Sequence, residues 1–584
     1  MLNGGMAPEE HRTAMDGLEQ RSVGTQQQEE MAKSYEPYAP QVSNAIVCLA
    51  PWCSCLRLLT AIPGSQETLQ KLYSELNIQS NVIVAATYSN GRDTLLKEAL
   101  LFQALRKVIA EQPALSIVMH EEPSKENQTD RRSWEGRLKS INLPDCVSYL
   151  NDYDVSSNGL QNLLETNHNE WFDVQDRKKP LWRLVVVNKT HVLFIYNHFI
   201  ADGSSGLNFH QSLLSALNRV SKDDDSAIPA ALGSPVIQIS SAPPLPPRGL
   251  DLLREQFSYY MVLVSVMHMI YLYLLRFMIP KQSWIFPEVD FDQRIPLNCK
   301  LPLKCKRPVT KVQRLYLHPL TLASCLEICR RNNVSFTALL YTLISITLAV
   351  DIYPEAKISN SNTLVNLRRF VNKSKRDIAD KYMTNITSGF LHRPWLSAYR
   401  SAETPLRSLA LFSDQSPCST MSNGTLKANH QTSTINHAVV WDLARKYKAA
   451  LDAGLRMPRP RTSPLVQNVL SISKLMPADE EAFASAIFAT MRTLLPNIFS
   501  LSNLGAFTPA PASDSDTGSW TITNMEFSVS SYRIGFGAAL YFAIISVKGG
   551  ACVMNVDYQE GVIEDDLVER VIAGVERRLL RILQ

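Results

Sequence analysis

Alternating strand-like and helix-like runs predict an α/β fold, and three stretches carry that prediction. Residues 81–88 (Asn-Val-Ile-Val-Ala-Ala-Thr-Tyr) are rich in β-branched side chains and end at Ser89-Asn90-Gly91, as a strand entering a turn does. Leu95, Leu96, Ala99, Leu100, Phe102, Leu105, Val108 and Ile109 recur at helical spacing until Pro113, with Asp93 placed as N-cap. Residues 115–120 read as the next strand. A strand pair at 182–187 and 192–196 is joined by Asn188-Lys189-Thr190. Behind it Leu207, His210, Leu213, Leu214 and Leu217 repeat as a helix expected to start at Ser204-Ser205.

The flanking sequence is simpler. Residues 1–40 are polar and read as a solvated tail, and residues 44–62 are apolar but broken by Pro51 and Arg57. Residues 221–248 are acidic and then proline-rich, as a linker or crossover is. Residues 400–436, rich in Ser, Thr and Asn, and residues 507–519 read as surface loops. Near the end, residues 540–547 and 551–558 flank Gly549-Gly550 as a hairpin. The last segment places Val568, Val571, Ile572, Val575, Leu579, Ile582 and Leu583 on one helical face. Glu564, Asp565 and Asp566 open it and Arg577, Arg578 and Arg581 close it, which suits the helix dipole. A helix docked on the core is expected, with a membrane-surface helix as the alternative.

Composition excludes several classes. The chain has 584 residues, 45% hydrophobic and 20% charged, with a net charge of +4. That is ordinary globular material, with no electrostatic footprint for nucleic acid. Ten cysteines are too few for a disulfide scaffold, and Cys325 and Cys329 sit one helical turn apart as core residues rather than metal ligands. No Gly-X-Ser-X-Gly elbow precedes a helix and no phosphate-binding Gly-rich loop appears. Residues 1–40 lack the apolar core of a signal peptide, so the cytosolic side is expected.

Residues 257–275 carry no formal charge and, as a helix, extend about 28 Å at ~1.5 Å per residue. A bilayer span, a contact with one membrane face and a protein-covered helix are the three readings. A single span would put the two halves of the chain on opposite sides of a membrane. Peripheral contact, on endoplasmic reticulum or lipid droplet, keeps them together.

The sharpest local signal is His198-X-X-X-Asp202-Gly203. At this composition the pattern arises by chance about 0.02 times per chain. An apolar strand leads into it and a helix leaves it. A histidine at the end of a buried strand can face a cleft and accept a proton near neutral pH. Asp202, beyond a tight turn, is better placed to pair with an arginine and hold the turn. Gly203 leaves room where a side chain would obstruct the cleft.

Residues 197–203 resemble the His-X-X-X-Asp-Gly motif of the CoA-dependent acyltransferase superfamily, which includes chloramphenicol acetyltransferase, condensation domains and wax ester synthases. Residues 81–88, 95–113, Pro180-Leu181-Trp182-Arg183, 195–206 and Ser502-Asn503-Leu504-Gly505 make the chain similar to fungal alcohol O-acetyltransferases. The resemblance implies a two-lobed chloramphenicol acetyltransferase-like α/β fold with a tunnel between the lobes. The divisions expected are 1–64 (tail and apolar segment), 65–220 (N-terminal lobe), 221–290 (linker and hydrophobic insertion) and 291–584 (C-terminal lobe).

It further implies that His198 is the general base, that Asp202 is structural, and that an arginine of the other lobe pairs with it. Arg368 lies at about the right place, with Arg369 competing. Ser502 and Asn503, at an expected Ser-Asn-Leu-Gly turn, are candidate donors to the tetrahedral oxygen. Acyl-CoA, expected as acetyl-CoA, is a co-substrate and an alcohol the acceptor; no metal, permanent cofactor or nucleic acid is implied, and a monomer is expected. Asn197 stands where condensation domains and wax ester synthases carry a second His, and the plant Asp-Phe-Gly-Trp-Gly motif is absent. A small alcohol, a sterol or a hydroxylated secondary metabolite are the acceptors considered. A wax-ester or other longer-chain acyltransferase and a non-catalytic lipid- or partner-binding protein are the alternatives.

Overall fold

The computed structural model describes residues 18–20, 66–91, 95–123, 131–176, 178–223, 235–239, 247–253, 257–280, 283–285, 306–404, 434–456, 465–466, 470–471, 482–485, 497–509, 518–533 and 537–584. Two of the sheets they build are large. The first has five strands in the order Trp520–Val529, Val82–Asn90, His191–Tyr196, Trp182–Val187, Val147–Leu150. The second has six: Thr310–Leu317, Cys552–Gln559, Ala538–Val547, Asn497–Phe507, Ser361–Asn366, Thr387–His392.

Both faces of the first sheet are covered, which is why its strands read as nearly continuous apolar runs. Val82, Val84, Ala86 and Tyr88 face Leu101, Leu105 and Val108 of helix Glu98–Glu111 and Phe209, Leu213 and Leu217 of helix Gly203–Asp223. On the other face Ile83, Val185, Val187, Leu193 and Ile195 meet Leu163 and Leu164 of helix Ser157–Asn169. Fully burying one such side chain is worth roughly 1.5–3 kcal/mol.

Several boundaries differ from expectation for local reasons. Helix Glu98–Glu111 begins later than its periodicity predicts, because the buried Leu96 donates its N–H to the Lys189 carbonyl at 2.8 Å and is held out of the helix. Asp93 lies outside the described residues. A 3-10 turn at Pro113–Ser116 precedes strand Ile117–Pro123, so the strand starts two residues late. Asn188 and Lys189 take φ of 50° and 56°, the left-handed pair of a tight hairpin.

The expected linker contributes a strand, Val236–Gln238, paired with Ser140–Asn142. Leu18–Gln20, in the expected tail, pairs with Arg131–Leu138. Residues 44–62, 224–234, 240–246, 405–433 and 510–517 lie outside the described residues. Glu403–Thr404 and Thr434–Ile435 pair at the base of the 400–436 insertion.

The terminal helix Asp565–Leu583 docks Val568, Val571, Val575, Leu579 and Ile582 in the core of the second lobe, and Cys325 and Cys329 are buried in that same core. Arg578 departs from the dipole reading. It lies on the buried face, three and seven residues beyond Val575 and Val571, and is fully enclosed. Its guanidinium bonds Asp351 at 2.6 and 3.0 Å and also pairs with Glu403.

The lobes exchange a strand. The chain leaves the second sheet after Asn497–Phe507, adds Trp520–Val529 to the first sheet, and returns as Ala538–Val547. At this junction His168 bonds Asn81 Oδ1 through Nδ1 at 2.6 Å and Ser528 Oγ through Nε2 at 2.7 Å. Ser528 Oγ also bonds Asp557 Oδ1, and Asp557 Oδ2 accepts the Val529 N–H at 3.0 Å. All four side chains are buried.

Candidate active site

Strand His191–Tyr196 carries the motif to its end. Asn197 then turns the chain: its Oδ1 accepts the Phe199 N–H at 2.9 Å and its Nδ2 donates to Ser74 Oγ at 2.9 Å. His198 follows, half-buried. The turn closes through Ile200 N–H to the Asn197 carbonyl at 3.1 Å.

Asp202 ends the turn and starts the helix. Its Oδ1 accepts from the Ser205 N–H at 2.9 Å and the Ser205 hydroxyl at 3.0 Å, so Asp202 is the cap where Ser204-Ser205 was expected to begin the helix. The same carboxylate receives a fork from Arg368: Nη1 to Oδ2 at 2.7 Å and Nη2 to Oδ1 at 3.1 Å. The Ile386 N–H adds a bond to Oδ2 at 3.0 Å. Burial pushes the Asp202 carboxyl up, but Arg368 and the hydrogen bonds from Ile386 and Ser205 outweigh it and hold it below its ordinary range.

Arg368 follows strand Ser361–Asn366, at the start of the short turn Arg368–Phe370. It is buried, with Nε donating to the Ala379 carbonyl at 3.0 Å and Nη2 to the Thr384 carbonyl at 2.9 Å. Arg369 is exposed and lies over the Phe370 ring. The geometry therefore brings Arg368, not its neighbour, to Asp202. With its guanidinium and carboxylate mutually satisfied, this buried pair is a rigid brace between the lobes.

Gly203 does leave room, but protein fills it. A Cβ there would sit 3.0 Å from Phe527 Cζ and 3.1 Å from Leu504 Cδ2. One of these comes from each sheet, so both sheets close on the motif at this glycine.

Ser502 and Asn503 are not in a turn. They lie inside strand Asn497–Phe507, at a register shift between Asn503 and Ala506. Asn503 Nδ2 donates to Thr337 Oγ1 at 3.0 Å, and its Oδ1 accepts the Gly505 N–H at 2.8 Å. The side chain thus props open the bulge, with Gly505 at φ 82°. Ser502 is buried and hydrogen-bonds Tyr541. Leu504 of this bulge is the residue that reaches Gly203.

Burial lowers the pKa of His198, against the pull of its own backbone carbonyl, Asp202 and the Asn385 amide. The imidazole is accordingly neutral near pH 7, the form a base requires. Its Nδ1 is buried without a hydrogen-bond partner.

The sequence reading missed residues 384–386. The Thr384 carbonyl accepts from Arg368 and from Ser205 Oγ, the latter at 2.9 Å. Asn385 Nδ2 donates to the His198 and Phe199 carbonyls at 2.8 and 3.0 Å. Most of these contacts use backbone atoms, which leave no composition signal. Among the described residues no cluster of His, Cys, Asp and Glu has the arrangement of a metal site.

Two lobes sharing a strand, with a histidine turn braced from the opposite lobe, define a CoA-dependent acyltransferase architecture. The sequence model described as alcohol acetyltransferase matches residues 63–404, and the chain belongs to that family of acyl-CoA-dependent O-acyltransferases. A probable alcohol acetyltransferase of Aspergillus fumigatus is 22% identical over 421 residues, covering 71% of this chain and 76% of that protein. An uncharacterized protein of Schizosaccharomyces pombe is 25% identical over 323 residues, 54% of this chain and 62% of its own length. The trichothecene 15-O-acetyltransferase TRI3 of Fusarium sporotrichioides superposes with a TM-score of 0.58 at 13% identity, over 89% of this chain and 95% of that one. That likeness is one of fold.

Proposed function

We propose that His198 is the general base of an O-acyl transfer from acyl-CoA, taken as acetyl-CoA, to an alcohol. The reading is carried by a neutral, half-buried imidazole on a turn that the second lobe clamps through Arg368, Thr384, Asn385 and Ile386. Nε2 takes the proton of the acceptor hydroxyl as its oxygen attacks the thioester carbonyl. The tetrahedral intermediate then expels the CoA thiolate, and the proton on His198 passes to it. Asp202 and Arg368 keep the turn in place without touching substrate. Ser502, which hydrogen-bonds Tyr541, and Asn503, engaged in the bulge, are the candidate donors to the tetrahedral oxygen. Losing such a donor costs about 3 kcal/mol of transition-state stabilisation.

A sterol or hydroxylated secondary metabolite is the proposed acceptor class, and the chain acts as a monomer on the cytosolic side. Thiol release from acetyl-CoA with a panel of alcohols, beside His198→Ala, tests the chemistry. Alcohol-dependent release lost in the variant supports it, and release retained in the variant refutes it. Release with long acyl-CoAs alone assigns the longer-chain reaction, and none with any thioester turns the assignment to a binding protein.

Helix Tyr259–Met278 adds a proposed lipid contact. Leu263, Met267, Tyr271 and Leu274 are each more than half exposed along it. Residues 257–275 lack charge, whereas Arg254 and Glu255 on one side and Arg276 and Lys281 on the other flank them, and tyrosines stand near both ends. That pattern suits a peripheral helix on an anionic membrane surface of endoplasmic reticulum or lipid droplet type. Co-sedimentation with phosphatidylserine-containing vesicles, lost on Leu263→Ser/Met267→Ser, is expected. Unchanged sedimentation, or dimerisation through this face in solution, refutes it.

A further inference from the structure

Helix Gln66–Glu75 lies across the seam between the lobes at the histidine turn. Gln66, Gln70 and Ser74 follow one another at one-turn spacing and so share one face. At one end of that stripe Gln66 Nε2 hydrogen-bonds Thr387 Oγ1 at 3.0 Å, next to the clamp at 384–386. At the other end Ser74 Oγ accepts from Asn197 Nδ2 at 2.9 Å, on the residue before His198. Tyr73 meets the Tyr532 ring edge-on at 5.9 Å, and Tyr532 in turn lies 6.5 Å from the ring of Tyr541, the partner of Ser502. The helix is thus tied to the histidine turn, to the clamp and to the strand of the candidate oxyanion donors.

The middle of the stripe is left unsatisfied. Glu67 and Gln70, neighbours on the helix surface, are each 7% exposed. Glu67 Oε2 and Gln70 Oε1 are buried without a hydrogen-bond partner, and Gln66 Oε1 beside them is a third such atom. Lys71, the cation one turn beyond Glu67, pairs with Glu75 at 3.4 Å. Buried polar groups are ordinarily satisfied, and one left bare bears the full cost of its desolvation. Several on one helix face, beside the histidine turn, mark a place whose partner is a ligand rather than the protein. A carboxylate oxygen accepts, and an amide presents an acceptor or, turned over, a donor. A hydroxyl suits both. An alkyl chain suits neither, and a phosphate brings no proton for Glu67.

We propose that Glu67 and Gln70 are specificity-determining residues for the acceptor: they take the hydrogen bond of a second hydroxyl while the first meets His198. The preferred acceptor is then a polyhydroxylated compound, over an alkanol or a sterol with a single hydroxyl. Gln70 stands one helical turn, about 6 Å, from Ser74, so both hydroxyls fall within one small molecule. The two side chains are long and unbranched, and their ends can turn toward a ligand. This inference rests on the reading of His198 as the base.

The full chain is assayed by thiol release from acetyl-CoA with matched acceptors that differ by one hydroxyl: hexanol and hexanediol, cyclohexanol and cyclohexanediol, a monohydroxysterol and a dihydroxysterol. The parent should prefer the dihydroxy member by ~10-fold or more in kcat/KM in at least one pair, and Glu67→Met or Gln70→Met should bring that ratio toward parity. A parent without preference in any pair, or a ratio that the variants leave alone, overturns the proposal. So does an effect confined to the KM of acetyl-CoA, which would give the stripe to the thioester. Melting of the ligand-free proteins needs no acceptor and decides the matter where no member of the panel turns over. Met fills a similar volume without a hydrogen-bonding end, so variants that melt at or above the parent temperature support the proposal. A fall of ~2 °C or more overturns it, because Glu67 and Gln70 would then be engaged within the protein. Thiol release by His198→Ala decides the base reading separately: its retention defeats that reading, whereas its loss with an unchanged ratio defeats only the role of Glu67 and Gln70.

Discussion

Replacing Asp557 by Asn is expected to remove a pH dependence of stability rather than to damage the fold. The reasoning starts from the chain Asn81–His168–Ser528–Asp557. Asn81 Nδ2 donates to the Asn167 carbonyl at 2.9 Å, so its Oδ1 is the atom facing His168 and Nδ1 must carry the proton. A neutral His168 then offers Nε2 as acceptor, and the single proton of Ser528 points to it. Ser528 has none left for Asp557, so Asp557 must donate to Ser528. It is a neutral carboxylic acid, its other oxygen accepting from the Val529 N–H. The opposite arrangement, imidazolium and carboxylate, separates charge in a fully buried junction and is disfavoured by desolvation.

The electrostatics run the same way. Burial pushes Asp557 up to about 8, and burial pulls His168 down to about 3. A carboxyl raised in the folded state binds a proton that the unfolded chain has already released. Its contribution to stability is complete below pH ~4 and is lost as pH rises to about 8. His168 has the reverse sign, losing stability as pH falls below ~6.5, so above that pH the Asp557 slope stands alone. At ~1.4 kcal/mol per pH unit, the loss from pH 6 to 8 is about 2 kcal/mol. Asn presents a carbonyl to Val529 and an NH2 to Ser528, matching the neutral acid. For 584 residues at ~2.1 cal/mol/K each, 2 kcal/mol moves the melting temperature by about 2 °C. Melting curves at pH 6 and pH 8 should therefore bring Asp557→Asn up relative to the parent by about 2 °C across that interval. Parallel changes in both proteins would refute the neutral-acid assignment.

Arg368→Met should lower stability by about 3–5 kcal/mol, since it strands the Asp202 carboxylate in the interior; a melting temperature within 1 °C of the parent would contradict the brace. Gly203→Ala must displace Phe527 or Leu504, and about 1–3 kcal/mol of destabilisation with slower thiol release is expected; unchanged melting and turnover would show that the two sheets do not close on this residue. With His198 held below the ordinary imidazole range by burial, thiol release should stay level from pH 7 to 8 and fall only on going more acidic. A rise through pH 7–8 would assign the rate to another group.

The motif was legible because its parts are local. A strand, a histidine, a capping aspartate and a glycine succeed one another within a few residues, and each has a side-chain preference that survives in the sequence. Arg368 was partly legible, as an arginine after a strand-like run, and only the fold separates it from Arg369. The clamp at 384–386 was not legible, because it works through the Thr384 carbonyl, the Ile386 N–H and one amide. Any residue supplies the carbonyl and any but proline the N–H. The bulge at Asn503–Ala506 reads as a turn in the sequence for a related reason. Ser, Asn and Gly are turn formers, yet Asn503 here bonds Gly505 N–H within a strand whose neighbours on both sides hold it extended. Arg578 shows the same limit from the other direction. Its position near a helix end suits the dipole, but helical spacing also puts it on the face of Val571 and Val575, and only Asp351 and Glu403 from distant segments make that burial tolerable. In each case the deciding partner is far away in sequence. The turn that carries His198 is thus readable from seven residues, while the contacts that hold it in place are contributed by residues some 170 to 190 positions further on.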